Sequence, residues 1–135
     1  MIIVMETASF DETDLDLVDV INKVLPFEKH LPGMRYCGPG TRLDLRLDER
    51  GRPLPGNEPV DRVDEATLKH DIAYGKYDDL RHRLEADREM LHDLLHIEQP
   101  TYRERAERCF VIPIIFLKRA IGSLILRFVD LVTAV

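Results

Sequence analysis

The sequence predicts a mainly α-helical fold, and three observations carry that prediction. Between Asp61 and about Gln99, apolar residues recur at steps of three and four, the period of a helix face. After Pro100 a second apolar stretch of the same period runs to the C-terminus. The turn-forming residues gather instead between His30 and Pro59. The 135 residues suffice for one domain with a core of modest size. At 44% hydrophobic and 33% charged the composition is globular, and without tryptophan the core must be mostly aliphatic.

The elements follow in order. In Glu6 to Lys29, Leu15, Val18, Ile21, Val24 and Leu25 share a helical stripe. Asp11, Asp14, Asp16 and Asp19 come early in the run, where acids suit the positive end of the helix dipole, and Pro26 ends it. Residues 1–29 therefore read as an acidic helical arm, either a packing helix or a regulatory, partner-binding one. In the next stretch Leu43, Leu45 and Leu47 alternate with Arg42, Asp44, Arg46 and Asp48, the period of a half-exposed strand. Glu49-Arg50-Gly51 would turn it into a short β-hairpin. Asp61 is placed to cap the following helix, with Asp64 and Glu65 in its first turn. Val63, Ala66, Thr67, His70, Ala73, Tyr74 and Tyr77 share one face, and Leu80, Leu84, Asp87, Leu91 and Leu94 form a second stripe. A turn must separate the two if they are to face each other, and Gly75 is the only strong breaker there. Thr101 to Glu104 has the pattern of a capping box opening the last helix, with Pro113 and Gly122 as expected bends.

The formal net charge of −6 argues against general nucleic-acid binding. Two cysteines, Cys37 and Cys109, are too few for a disulfide framework and are expected as free thiols. The N-terminal apolar run is short, lacks a preceding basic residue and runs into acid, so no signal peptide is expected. The stretch Phe110–Val135 is interrupted by Lys118, Arg119, Arg127 and Asp130, which predicts a soluble or peripheral protein rather than a spanning one.

Four places carry residues suited to chemistry. In Tyr36-Cys37-Gly38-Pro39-Gly40 the glycines let a loop fold tightly and turn carbonyls inward, and backbone carbonyls are acceptable calcium ligands. Taken alone this is a turn. His70-Asp71 places two polar side chains about 100° apart on a helix, one toward the core and one toward a neighbouring loop. An isolated pair of this kind is ordinarily a satisfied core histidine. Tyr74 lies one turn on from His70 and reaches the same cleft. Asp87 falls within an apolar stripe, where a carboxylate is costly unless paired, and an imidazole and a phenol would satisfy it. If one unbroken helix joined His70 to Asp87 they would be about 25 Å apart, and another acid such as Asp93 would have to serve.

In combination these segments resemble a known family. Leu31 through Gly40, Glu58 through Asp64, His70-Asp71-Ile72-Ala73-Tyr74 and Ala86-Asp87 are similar, in order and context, to the phospholipase A2 domain of parvovirus minor capsid proteins. Related domains occur in other DNA viruses and in virus-like mobile elements of invertebrates. The resemblance runs from about Leu31 to Glu89 and more weakly to about Gly122. It implies a pair of antiparallel helices carrying the site, a glycine-rich calcium loop over it, and a phospholipase A2-like domain over residues 30–123, followed by an apolar helical extension over residues 124–135. It implies calcium as cofactor, held by the carbonyls of Tyr36, Gly38 and Gly40 and the carboxylate of Asp71. His70 would act as general base on a water that attacks the sn-2 ester of a glycerophospholipid, with the Gly38 amide at the oxyanion. Asp87 would orient His70, helped by Tyr74. The substrate partner would be a phospholipid membrane surface, and the biological outcome a breached membrane. This chain has Thr41 after the glycine, where the parvoviral domains usually carry asparagine, and a longer connector from Thr41 to Pro59.

Three rival readings remain. His92 and His96 sit at i, i+4 and could chelate zinc, but the peptidase pattern has glutamate where this chain has Asp93. Cys37 with His70 could suggest a thiol nucleophile, but its main chain is the part the glycine loop uses. The third is a phospholipase-like module that hydrolyses nothing and uses Phe110–Val135 to bind membrane or a protein partner.

Overall fold

A computed structural model describes residues 31–38 and 41–134. The acidic arm expected over residues 1–29, and Gly40 of the glycine loop, lie outside the described residues. The described chain is mainly helical, with α1 at Leu43–Arg46, α2 at Arg62–Lys76, α3 at Leu80–Leu95 and α4 at Tyr102–Thr133.

The starts of the three long helices follow from side chains that satisfy otherwise orphaned backbone amides. Asp61 accepts from the Asp64 amide, Asp79 from the His82 amide, and Thr101 from the Glu104 amide. Glu104 returns the contact to the Thr101 amide, completing a capping box. The break between α2 and α3 falls at residues 77–79, not at Gly75, which stays helical. Asp79 sets the break because its carboxylate holds the next helix's first turn, while the Tyr77 amide still closes the previous one onto Ala73. The short turn folds α3 back antiparallel to α2, so His70 meets Asp87 and Lys69 lies 3.7 Å from Asp93. The single-helix alternative, with its separation of some 25 Å, is thereby excluded.

α4 returns antiparallel to α3, with Arg108 near its start bonding the Leu94 carbonyl and Asp130 near its end bonding Arg81. Val63 from α2, Met90 and Leu94 from α3, and Val111 and Ile115 from α4 form the centre of the core with Met34 and Cys37. Each fully buried aliphatic side chain there contributes roughly 1.5–3 kcal/mol. Gly122 lets α4 pass close to α3: a Cβ at that position would stand 2.9 Å from Leu84 Cδ2. α4 runs unbroken through Pro113, Gly122 and the boundary expected between residues 123 and 124.

Two expectations change. The alternating leucines of residues 43–47 do not form a strand: Leu43–Arg46 is one helical turn, followed by an isolated antiparallel bridge between Leu47 and Pro53. Leu45 is 62% exposed, so no core face rewards the alternation. Asp48 captures the amides of Arg50 and Arg52 within its own turn, and Pro53 has no N–H with which to extend a ladder. Second, the interrupting charges do not shorten the apolar character of α4 as expected. By length and composition alone it suffices to cross a membrane, with an 18-residue window of mean hydropathy 2.0. In this fold its inner face is packed on α3, while Phe110, Phe116, Leu124 and Phe128 of its outer side are exposed.

Candidate active site

α2 presents two polar faces, and each meets a different neighbour. Asp64, Thr67 and Asp71 recur at steps of three and four and lie toward the segment around Tyr36. The fully buried Asp64 carboxylate accepts from the amides of Arg35, Tyr36 and Val60, the Tyr36 bond being 2.8 Å. Thr67 contacts the Cys37 thiol, which also feels the charges of Asp64 and Asp71. This clamp brings residues 35–38 onto the face of α2 that carries Asp71, which is 1% exposed. The sequence offers Asp64 as a first-turn acid and as the last residue of the 58–64 segment, with no role toward residues 35–38. Its place at the head of a polar i, i+3, i+7 series was the available signal of a second role.

Within the segment the carbonyls alternate. Those of Tyr36 and Gly38 each lie 3.3 Å from the Thr41 hydroxyl, so both face one point. The carbonyl between them, from Cys37, turns away and accepts from the Leu31 amide at 2.7 Å. Two carbonyl oxygens and a buried carboxylate on one side of α2 are an all-oxygen donor set, the type that suits a hard cation. Among the described residues no three His, Cys, Asp or Glu side chains gather as a metal-binding group. The donor set therefore depends on main-chain oxygens.

The other face of α2 meets α3. His70 and Tyr74, one turn apart, both reach Asp87 Oδ1 at 2.7 Å. His70 and Asp87 are each 2% exposed. The rings of His70 and Tyr74 lie 4.3 Å apart, which limits how the imidazole can turn. Burial pushes the Asp87 carboxyl up, but the His70 hydrogen bond and the charge of Lys118 outweigh it and hold the group below its ordinary value. Asp87 is thus an anion, and the proton of the 2.7 Å bond is assigned to His70 Nε2. His70 Nδ1 is buried, has no hydrogen-bond partner among the described residues, and lies 3.7 Å from Asp71 Oδ1. His70 also lines a cavity of about 30 Å³ between α2 and α3, room for a water molecule.

One member of the cluster was missed in the sequence. Lys118 of α4 donates to Asp87 Oδ1 at 3.2 Å and to the Tyr74 hydroxyl. The sequence offers it as a charge interrupting an apolar helix or as one of the cations of an interfacial helix. Its signal is its phase: Lys118 falls on the face of Val111, Ile115 and Gly122, where a lysine needs a buried partner.

The rival residues stand apart from this arrangement. Burial pushes the Cys37 thiol up to about 11, far from the thiolate a nucleophile requires. Cys37 and Cys109 are both free thiols. His92 and His96 stack with ring centroids 4.1 Å apart on the exposed side of α3. Of the residues singled out, His70, Asp71, Tyr74, Asp87, Tyr36 and Gly38 thus lie on or against α2, on two adjoining faces.

No curated protein and no solved structure shows significant similarity to the chain. A family model described as Phospholipase A2-like domain matches residues 27–104, more than half of the chain, and its span holds the 35–38 segment, His70, Asp71, Tyr74 and Asp87. The chain belongs to the family of phospholipase A2-like domains.

Proposed function

We propose that this protein is a calcium-dependent phospholipase A2, which hydrolyses the sn-2 ester of glycerophospholipids to a free fatty acid and a lysophospholipid. The observation that carries the reading is the division of labour on His70. Nε2 is engaged by a buried carboxylate, while Nδ1 hydrogen-bonds nothing among the described residues and lies 3.7 Å from Asp71 Oδ1.

In this reading His70 Nδ1 takes a proton from water as the oxygen attacks the ester carbonyl. A neutral imidazole is a competent base near neutral pH. Asp87 keeps the imidazole in the tautomer whose acceptor is Nδ1 and stabilises the cation that forms. Tyr74 shares the same carboxylate oxygen and restrains it. The proton then passes from His70 to the leaving glycerol oxygen. The Gly38 amide is assigned to the developing oxyanion. The carbonyls of Tyr36, Gly38 and Gly40 and the carboxylate of Asp71 would hold the calcium ion, which when bound polarises the ester carbonyl and offsets the negative charge. Support for that ligand set is the common point faced by the first two carbonyls and the burial of Asp71 on the same side of α2.

The test is fatty-acid release from mixed phospholipid vesicles, with calcium and with a chelator. The full chain is expected to release sn-2 fatty acid only with calcium, and His70→Ala to lose roughly 10²–10⁴-fold in rate. Release that survives both chelation and His70→Ala would overturn the mechanism. A second reading, a silent module that binds membrane or a protein partner, is favoured by the exposed apolar side of α4. Vesicle binding with no release in any condition would favour it.

A further inference from the structure

Asp87 Oδ1 receives three donors, and the third comes from a helix that lies mostly beyond the stretch matched by the family. The close approach at Gly122 brings α4 against α3, and Lys118, one turn earlier on the same face, follows it inward. Its side chain is 9% exposed, with Nζ 3.8 Å from the centroid of the Tyr74 ring. A lysine stem is long enough to carry its charge out to water, and burying an ammonium is costly unless it is well paired. Here the ammonium is spent on the same oxygen that holds His70. Elsewhere along the same interface the tie between α4 and α3 is an exposed ion pair, Arg81 with Asp130 at 2.8 Å. The Arg83 guanidinium of α3 also stands over the Tyr74 ring, 5.1 Å from its centroid, and its Nε donates to the Tyr77 carbonyl.

We infer that Lys118 is a positioning residue of the hydrolytic site: from α4 it fixes the Asp87 carboxylate and the Tyr74 hydroxyl so that His70 keeps its proton on Nε2 and its acceptor at Nδ1. The inference rests on the reading of His70 as general base. Asp87 approached by two donors from α2 alone can still rotate its carboxylate. A third donor from another helix fixes the orientation, as outer partners of metal-bound and catalytic imidazoles do. The site is then complete only when α4 is docked.

Lys118→Met keeps the length and packing of the stem and removes the donor. Two quantities are read in the full chain: kcat and KM on mixed phospholipid vesicles with calcium, and the imidazole nitrogen shifts of His70, assigned by their loss in His70→Ala. The expected result is a fall in kcat of about 10–100-fold with KM unchanged, a mixed His70 tautomer, and partial recovery of both in Lys118→Arg. An unchanged kcat, or a loss divided between kcat and KM in step with a lowered melting temperature, would overturn the inference. If the parent chain hydrolyses no lipid, the phospholipase reading fails and the spectrum alone decides. A pure Nε2–H tautomer retained in Lys118→Met then overturns the role of Lys118, and a mixed one upholds it. Should Lys118→Met fail to fold, Lys118→Gln keeps a donor without the charge and is read the same way. There a kcat and tautomer equal to the parent's would overturn the inference that the Lys118 ammonium positions Asp87, and loss of both would uphold it.

Discussion

α4 is joined to the rest of the molecule by two polar junctions, and their chemistry differs. At its N-terminal end Glu104 is nearly buried and saturated. It accepts from the Arg62 amide, from Arg62 Nε at 2.8 Å and Nη2 at 2.6 Å, and from the Thr101 amide at 2.9 Å. About four turns on, Lys118 enters a cluster with Tyr74, Asp87 and His70 in which one imidazole nitrogen hydrogen-bonds nothing among the described residues. Glu104 closes its hydrogen bonds, which matters because each buried polar atom left open costs free energy. The atoms left open near Glu104, Asp61 Oδ2 and Glu107 Oε2, are carboxylate oxygens beside Arg103, whereas the open atom beside Lys118 is an imidazole nitrogen. The contrast separates two clusters of otherwise similar content, acid and base side by side under cover.

Substitutions should therefore act on different observables at the two junctions. The largest effect is expected at Asp87. Asp87→Asn keeps the volume but replaces the anion that His70 Nε2 faces, so His70 is no longer held in the productive tautomer. The vesicle hydrolysis rate should fall about 10–100-fold with calcium present, while the circular dichroism spectrum is unchanged. A rate within error of the parent's would remove Asp87 from the site. Next comes Glu104→Gln, with the opposite signature. Arg62 loses a charged acceptor, and the fold should lose roughly 1–3 kcal/mol, read in urea unfolding. The rate per folded molecule should not change. A rate loss larger than the unfolded fraction explains would erase the distinction between the junctions.

How much of this was legible in the sequence differs between the two regions as well. The capping box at Thr101 and the cap at Asp61 could be read directly, because an N-cap is a local rule with a side chain and an amide three residues apart. The place of Asp87 could be read from the cost of a carboxylate in an apolar stripe, but its partner could not. That depended on where the chain turned, and Gly75 drew attention as the strongest breaker. The turn was made instead by Asp79, whose capping bond depends on a helix start that the charged stretch around it conceals. Leu43, Leu45 and Leu47 misled for a different reason. Alternation predicts a strand only where a core face receives the alternate side chains, and Leu45 meets none. Lys118 was hidden by the assumption that a lysine in an apolar helix points outward. Only the phase shared with Val111, Ile115 and Gly122 contradicts that, and the phase acquires meaning once α3 is known to lie opposite.

The smallest effect expected at the N-terminal junction concerns Glu107, one turn beyond Glu104. Burial and the neighbouring Asp61 push its carboxyl up from 4.5 to about 7, against the opposing pull of Arg103. The Arg62 hydrogen bond instead brings Glu104 down from 4.5 to about 2. The two shifts give stability opposite pH dependences. For Glu104 the folded state binds the proton more weakly than the unfolded one, so its contribution is present above pH 4.5 and is lost as pH falls toward 2. For Glu107 the folded state binds the proton more strongly, so its contribution is complete below pH 4.5 and is lost as pH rises through about 7. Melting temperatures of the parent should therefore decline between pH 5 and pH 7.5, a window chosen from these two shifts. In Glu107→Gln, which cannot ionise, that decline should flatten while the acid-side loss set by Glu104 remains. A decline of equal steepness in both proteins would place its source elsewhere, and would mean that the junction at the start of α4 holds Glu107 as an ordinary ion pair with Arg103.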